Sequence, residues 1–74
     1  METLTGRVVE FDERRGLGTI ECSTGESTTG RRYAFHCTAI ADGSRTIPAL
    51  ARVEFTLVPG PVGCFEAGAI RATG

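Results

Sequence analysis

The chain has 74 residues and a formal net charge of −1. That length allows one small domain, because a second hydrophobic core would not fit, and we expect residues 1–74 to form a single unit. Such a small chain buries only about 60% of its unfolded surface, which argues against an enzyme cleft set in a large core. The near balance of charge, with no block of like charges, excludes a basic tail, and we do not expect strong electrostatic attraction to phosphate.

Five short strands are predicted, separated by glycine, proline and small polar residues. In chain order they are LTGRVVEF (4–11), LGTIECS (17–23), RYAFHC (32–37), RVEFTLV (52–58) and CFEAGAIRA (64–72). A loop rich in Gly, Ser and Thr occupies 24–31, and Pro48 argues against a helix through 38–52. No stretch has the 3.6-residue period of a helix, so the pattern predicts an all-β barrel or sandwich. A closed barrel protects edges that a small domain has no means to cover.

The cysteines indicate the compartment. Cys22, Cys37 and Cys64 are an odd number without a C-x-x-C pair, which argues against a disulfide framework and against a zinc site. The start METLTGRVVEF leads straight into a strand pattern, and no apolar run is long enough to cross a membrane. We therefore expect a protein of the reducing cytoplasm, with no metal, no cofactor and no membrane contact.

The order of the motifs resembles the cold-shock domain. GRVVEFD (6–12) is similar to the family's first strand, Gly-x-Val-Lys-Trp-Phe-Asn, and RGLGTI (15–20) to Lys-Gly-Phe-Gly-Phe-Ile. YAFHCTAI (33–40) is similar to Val-Phe-Val-His-Phe-Ser-Ala-Ile, VEFTLVPGPVG (53–63) to the fourth strand and its turn, and AGAI (67–70) to the last strand. The resemblance covers nearly the whole chain. It implies a five-stranded antiparallel Greek-key barrel of the oligonucleotide-binding (OB) type, which binds single-stranded RNA and DNA.

The departures from the family fall mostly at its base-stacking positions. Glu10 stands where the family has Trp and Val9 where it has Lys, while Leu17, Thr19, Ala34 and Cys37 replace Phe residues. Ser44 occupies a loop position that often carries an aromatic residue. The resemblance leaves Phe11, His36 and the cation Arg15 on the binding face. The loop at 24–31 is longer than the usual family loop.

The candidate nucleic-acid-binding residues that the resemblance implies are Phe11, Arg15, Leu17, Thr19, His36, Arg45 and Glu10. Two of them, Phe11 and His36, are expected to stack on bases; the alternatives are a core ring and a strand histidine satisfied by a polar neighbour. Glu10 repels phosphate but can accept a hydrogen bond from a base amino group; its alternative is a surface carboxylate paired with Arg15.

The candidate phosphate contacts are Arg7, Arg14, Arg15, Arg31, Arg32 and Arg45. Arg15 and Arg45 are the best of these, since the family carries Lys or Arg there. The alternative for these arginines is a solvated surface charge paired with Glu13, Glu10 or Asp12. For Arg31 and Arg32, which flank the long loop, contact with a protein partner is a further alternative.

A catalytic site is not predicted. The chain has one histidine, and Cys37 is expected to project from the opposite side of the strand, away from His36. Base stacking contributes about 1–3 kcal/mol per base, so the loss of several rings predicts weak, salt-sensitive binding of single-stranded RNA or DNA. We expect the protein to act as a monomer. The alternative is a protein-interaction module with an apolar patch at Val9, Leu17, Ala34 and Cys37. Neither hypothesis involves a small-molecule substrate.

Overall fold

The computed structural model describes residues 3–41, 43, 46–60 and 64–73. Its strands are β1 (Leu4–Asp12), β2 (Leu17–Cys22), β3 (Arg32–His36), β4 (Arg52–Pro59) and β5 (Phe65–Ala72), with one 3₁₀ turn at Cys37–Ala39. The prediction of an all-β chain with five strands is confirmed, and each strand agrees with its predicted range to within one residue at either end. Within the described ranges, no helix is long and apolar enough to cross a membrane.

The five strands form one antiparallel sheet in the order β3-β2-β1-β4-β5. The sheet curls so that its two ends approach each other. Ile40, just after the 3₁₀ turn, forms a parallel bridge with Ile70 of β5, and the Ala41 N–H donates to the Ile70 carbonyl at 2.8 Å. These contacts close the sheet towards a barrel, the arrangement expected of an OB-type fold.

The inside of the barrel is a single apolar cluster. Its buried members are Leu4, Val8, Ile20, Cys22, Phe35, Ile40, Ile47, Val53, Phe55, Ala67 and Ile70. They come from all five strands and, through Ile40 and Ile47, from the segment that connects β3 to β4. Burial of this apolar surface is the main source of stability for so small a domain.

A β-bulge in β1 decides which of its side chains face this core. Val8 lies opposite Ile20, whereas Glu10 lies opposite Thr19, so Val9 is an extra residue between the two pairs. Strict alternation would place Glu10 inside with Val8, where an unpaired carboxylate is costly to bury. The bulge instead turns Glu10 outwards and Phe11 inwards. Backbone bonds between Val8 and the 50–51 segment hold the bulged strand in place, at 2.9 Å and 2.7 Å.

Candidate nucleic-acid interface

The outward-facing side chains of β1, β2 and β3 form three cross-strand rows, which we call the outer face. The register defines them as Arg7–Glu21–Arg32, Glu10–Thr19–Ala34 and Asp12–Leu17–His36. Residues directly opposite each other on neighbouring strands share a face of the sheet. The outer face therefore brings together Glu10, Leu17, Thr19 and His36, four of the residues predicted from the sequence.

A cavity of about 470 Å³ opens on this part of the molecule. Its lining residues are Glu10, Phe11, Asp12, Arg15, Leu17, Gly18, Thr19, Ala34 and Phe35. Five of the seven residues predicted from the sequence line it, namely Glu10, Phe11, Arg15, Leu17 and Thr19. Of the other two, His36 lies opposite Leu17 in the outer face, and Arg45 falls outside the described residues, as does Ser44.

Phe11 reaches the cavity from the inner side of the sheet. It lies opposite Gly18, and Gly18 lies opposite the buried Phe35, so the three form an inner row. The Phe11 and Phe35 rings are parallel, with centroids 5.8 Å apart and planes inclined by 4°. Phe11 is half-buried against the core. Phe11 therefore packs against the core and also lines the cavity, but it does not share a face of the sheet with His36.

Gly18 makes the contact between the two rings possible. A Cβ atom at this position would lie 2.6 Å from Cε1 of Phe35 and 2.9 Å from the carbonyl oxygen of Glu10. Both distances are below ordinary van der Waals contact, and Phe35 is too tightly packed to move aside. The second glycine of the RGLG segment is therefore required for the close approach of β1, β2 and β3 beneath the cavity.

His36 ends β3 with an exposed imidazole whose orientation is set by the following residue. Its Nδ1 accepts a hydrogen bond from the Thr38 N–H at 3.2 Å and lies 3.0 Å from the Thr38 hydroxyl. In this arrangement the neutral ring carries its proton on Nε2, which is left to donate. His36 and its cross-strand neighbour Leu17, which is 43% exposed, together offer a flat and an apolar side chain at the end of the outer face.

The expectation that Cys37 points away from His36 is wrong. The Cys37 sulfur lies 3.7 Å from Nδ1 of His36. The strand ends at His36, and Cys37 begins the 3₁₀ turn, so the side-to-side alternation of a strand no longer applies to this pair. Cys37 is also half-buried against Gly16, which means that it contributes less to an exposed apolar patch than Leu17 does.

The turn between β1 and β2 positions Arg15. The Oδ1 atom of Asp12 accepts the backbone N–H groups of Arg14 and Arg15, at 3.0 Å and 3.3 Å. Gly16, with φ of +66°, then reverses the chain in a conformation that favours glycine. The Arg15 side chain lines the cavity next to this turn, and a phosphate at the cavity mouth would meet its guanidinium.

The ion pairs differ from those expected. Among the described residues, Arg32 pairs with Glu21 at 3.6 Å and Arg71 with Glu54 at 3.9 Å. Arg32 is therefore a paired surface charge, although its partner is not one of the carboxylates expected. The described part of the chain contains no ion pair between Glu10 and an arginine, so the alternative in which Glu10 pairs with an arginine such as Arg15 is not found. Instead, Glu13 accepts a hydrogen bond from the Thr46 hydroxyl at 2.8 Å.

The charges lining the cavity disfavour a tight grip on phosphate. Glu10 and Asp12 contribute two carboxylates there, against the single guanidinium of Arg15. Such a surface attracts a polyanion only weakly, and the attraction falls further as salt screens it. As to metals, the described residues contain no group of three or more His, Cys, Asp or Glu side chains placed to hold an ion.

The fold is a small OB-type barrel of the cold-shock kind, as predicted. A solved structure described as Drosophila Unr CSD456, a cold-shock domain structure, matches with a TM-score of 0.75 and 26% sequence identity over 99% of this chain. The chain spans about a quarter, 27%, of the length of that Drosophila chain. No protein-family model matches the sequence, and no curated protein matches it either. The similarity of this chain to known proteins therefore rests on structure. A cold-shock domain as structural neighbour suggests a fold of the nucleic-acid-binding type.

Proposed function

We propose that the chain binds single-stranded RNA or DNA weakly on the outer face and its cavity. The observation that carries the proposal is the convergence of Glu10, Arg15, Leu17 and Thr19 on one open cavity of a cold-shock-type barrel. In such folds the bases lie on the sheet while basic side chains follow the backbone.

The side chains available suggest how a strand would be held. The imidazole of His36 and the apolar surface of Leu17 support bases, Nε2 of His36 donates a hydrogen bond, and Arg15 pairs with phosphate. Stacking contributes about 1–3 kcal/mol per base, and a platform with so few rings loses several such contributions. Binding is therefore weak, with loose sequence dependence and a marked response to salt.

The proposed role is that of an RNA-chaperone-like protein or a regulator of gene expression, acting as a monomer in the cytoplasm. Binding needs no cofactor and no chemical step. Weak, salt-sensitive binding suits a protein that must release the bound RNA or DNA readily, because low affinity at an ordinary association rate means fast dissociation.

A second candidate is a protein-interaction module on the same barrel. The observation in its favour is the composition of the outer face, where Leu17 is 43% exposed beside the exposed Ala34 on β3 and the carboxylates Glu10 and Asp12 lie alongside. Apolar surface flanked by carboxylates fits a protein partner better than a polyanion.

A two-dimensional NMR titration with short single-stranded oligonucleotides separates the two. Nucleic-acid binding predicts amide shifts that cluster at Arg15, Leu17, Thr19 and His36 and that fade as salt rises, with Phe65 on β5 as an internal control that does not move. An absence of shifts at low salt and millimolar oligonucleotide would reject nucleic-acid binding and leave the protein-interaction module.

A further inference from the structure

Glu10 is the unengaged carboxylate of the cavity. The β1 bulge turns it outwards, and it lies exposed in the middle row of the outer face, between Asp12 at one end and Glu21 at the other. Asp12 uses Oδ1 to hold the β1–β2 turn, and Glu21 pairs with Arg32. Within the described part of the chain, no ion pair or side-chain hydrogen bond occupies the Glu10 carboxylate.

The two neighbours of Glu10 in its row leave space for a base. Thr19 is opposite it on β2 and Ala34 opposite Thr19 on β3, so the row ends in a hydroxyl and a methyl group. All three line the cavity. A base edge that enters this row therefore meets the Glu10 carboxylate as its charged partner, and none of the three side chains of the row carries a ring.

An ionised carboxylate accepts hydrogen bonds and donates none. The Watson–Crick edge of guanine offers two adjacent donors, N1–H and the N2 amino group, which match the two oxygens of one carboxylate. Cytosine and adenine offer one amino group beside a ring acceptor. Uracil and thymine offer one N–H between two carbonyl oxygens, and both of those oxygens repel a carboxylate.

We propose that Glu10 selects the base bound in this cavity, with guanine preferred and uracil or thymine least favoured. The proposal rests on the proposed function, and it adds the chemical class of nucleotide that the face takes. The same carboxylate lowers affinity for every strand by repelling phosphate, so general affinity and base preference depend on Glu10 in opposite ways.

The test uses uracil oligonucleotides of about seven nucleotides, within the site size of roughly 4–16 nucleotides for one OB fold. The central nucleotide is guanine, inosine, cytosine, adenine or uracil, and affinity is measured by fluorescence anisotropy at low salt. A bidentate contact discriminates by about 1–3 kcal/mol, which corresponds to guanine binding about fivefold or more tighter than uracil. Inosine, which lacks the N2 amino group, is expected between the two.

Two variants assign the preference to its residue. Glu10→Gln keeps the shape, removes the charge and introduces a donor, so it should tighten binding of the all-uracil strand and bring the guanine-to-uracil ratio towards unity. Glu21→Gln removes the same charge from the same outer face and should leave that ratio unchanged.

The outcomes are distinguishable. Equal affinities for all central bases in the wild-type protein, or a ratio that survives Glu10→Gln, would overturn the assignment of base selection to Glu10 and leave the proposed function standing. If none of the oligonucleotides binds at low salt, both proposals fail.

Discussion

Replacement of Leu17 by phenylalanine tests whether the outer face acts as a platform for bases. Leu17 is 43% exposed, and its cross-strand neighbour His36 is exposed too, so a larger ring fits without entering the core. A base–aromatic stack contributes about 1–3 kcal/mol. Because leucine already offers some apolar contact, we expect the lower half of that range, about 1–2 kcal/mol, or an affinity about 5 to 30 times higher.

The assay is fluorescence anisotropy with a labelled single-stranded oligonucleotide, repeated over a series of salt concentrations. Leu17→Phe changes no charge, so the dissociation constant should fall at every salt concentration while the slope of log affinity against log salt stays the same. A change in both quantities would mean that the ring had altered the path of the backbone across the arginines.

Phe65 provides the matched control. It is an exposed ring, 58% accessible, on β5 and outside the residues that line the cavity. Phe65→Leu removes an exposed ring from β5, outside the outer face, so it should leave the dissociation constant unchanged. The reasoning is refuted if Leu17→Phe, with its thermal unfolding unaltered, binds no more tightly than the wild-type protein.

Three further predictions concern charge, packing and thiol exposure. Arg15→Ala should weaken binding and reduce the salt slope by about one, whereas Arg71→Ala, which removes a charge paired with Glu54 on β4, should change neither. Gly18→Ala should destabilise the fold by about 1–3 kcal/mol, seen as a melting temperature lower by roughly 4–24 °C in circular dichroism; an unchanged melting temperature would contradict the close approach of β1, β2 and β3 at Gly18. In the native protein, Ellman's reagent should modify the exposed Cys64 at once and the buried Cys22 only on unfolding, and rapid reaction of both would show that the core around Cys22 opens.

The strands were predictable because their signals are local. β4 was expected at 52–58 and spans Arg52–Pro59, since apolar residues alternate up to the Pro-Gly turn. Which side chains of β1 face the core was less predictable. Val8 and Val9 are consecutive, β-branched and apolar, so either is suited to the core, and nothing in the sequence marks Val9 as the extra residue.

The sequence predicted which residues belong to the candidate site but not how their side chains are oriented. The RGLG frame and the single histidine indicated which segments approach one another, and five of the seven proposed residues line one cavity. The orientation of Cys37 was predicted wrongly, because the strand ends at His36 and Cys37 contacts it. The sequence also did not show that Phe11 would reach the cavity from the inner row, which depends on the bulge. Ion pairs also escaped prediction, since the pairing of Arg32 with Glu21 depends on the β2–β3 register.

The residues that maintain the fold differ from those exposed for binding, because the former lie in the inner row and the latter in the outer rows of the sheet. Phe11, Gly18 and Phe35 touch one another beneath the cavity, so a change at any of them is paid for in stability. Exposed side chains such as Leu17 and Glu10 have no such constraint, and surface exchanges usually alter stability by no more than about 0.5 kcal/mol. A barrel can thus keep its fold, at a TM-score of 0.75 to a cold-shock structure, while its outer face changes freely. Affinity and base preference therefore depend on the outer side chains and not on the fold alone. The Glu10→Gln variant tests both, through its affinity for the all-uracil oligonucleotide and through its guanine-to-uracil affinity ratio.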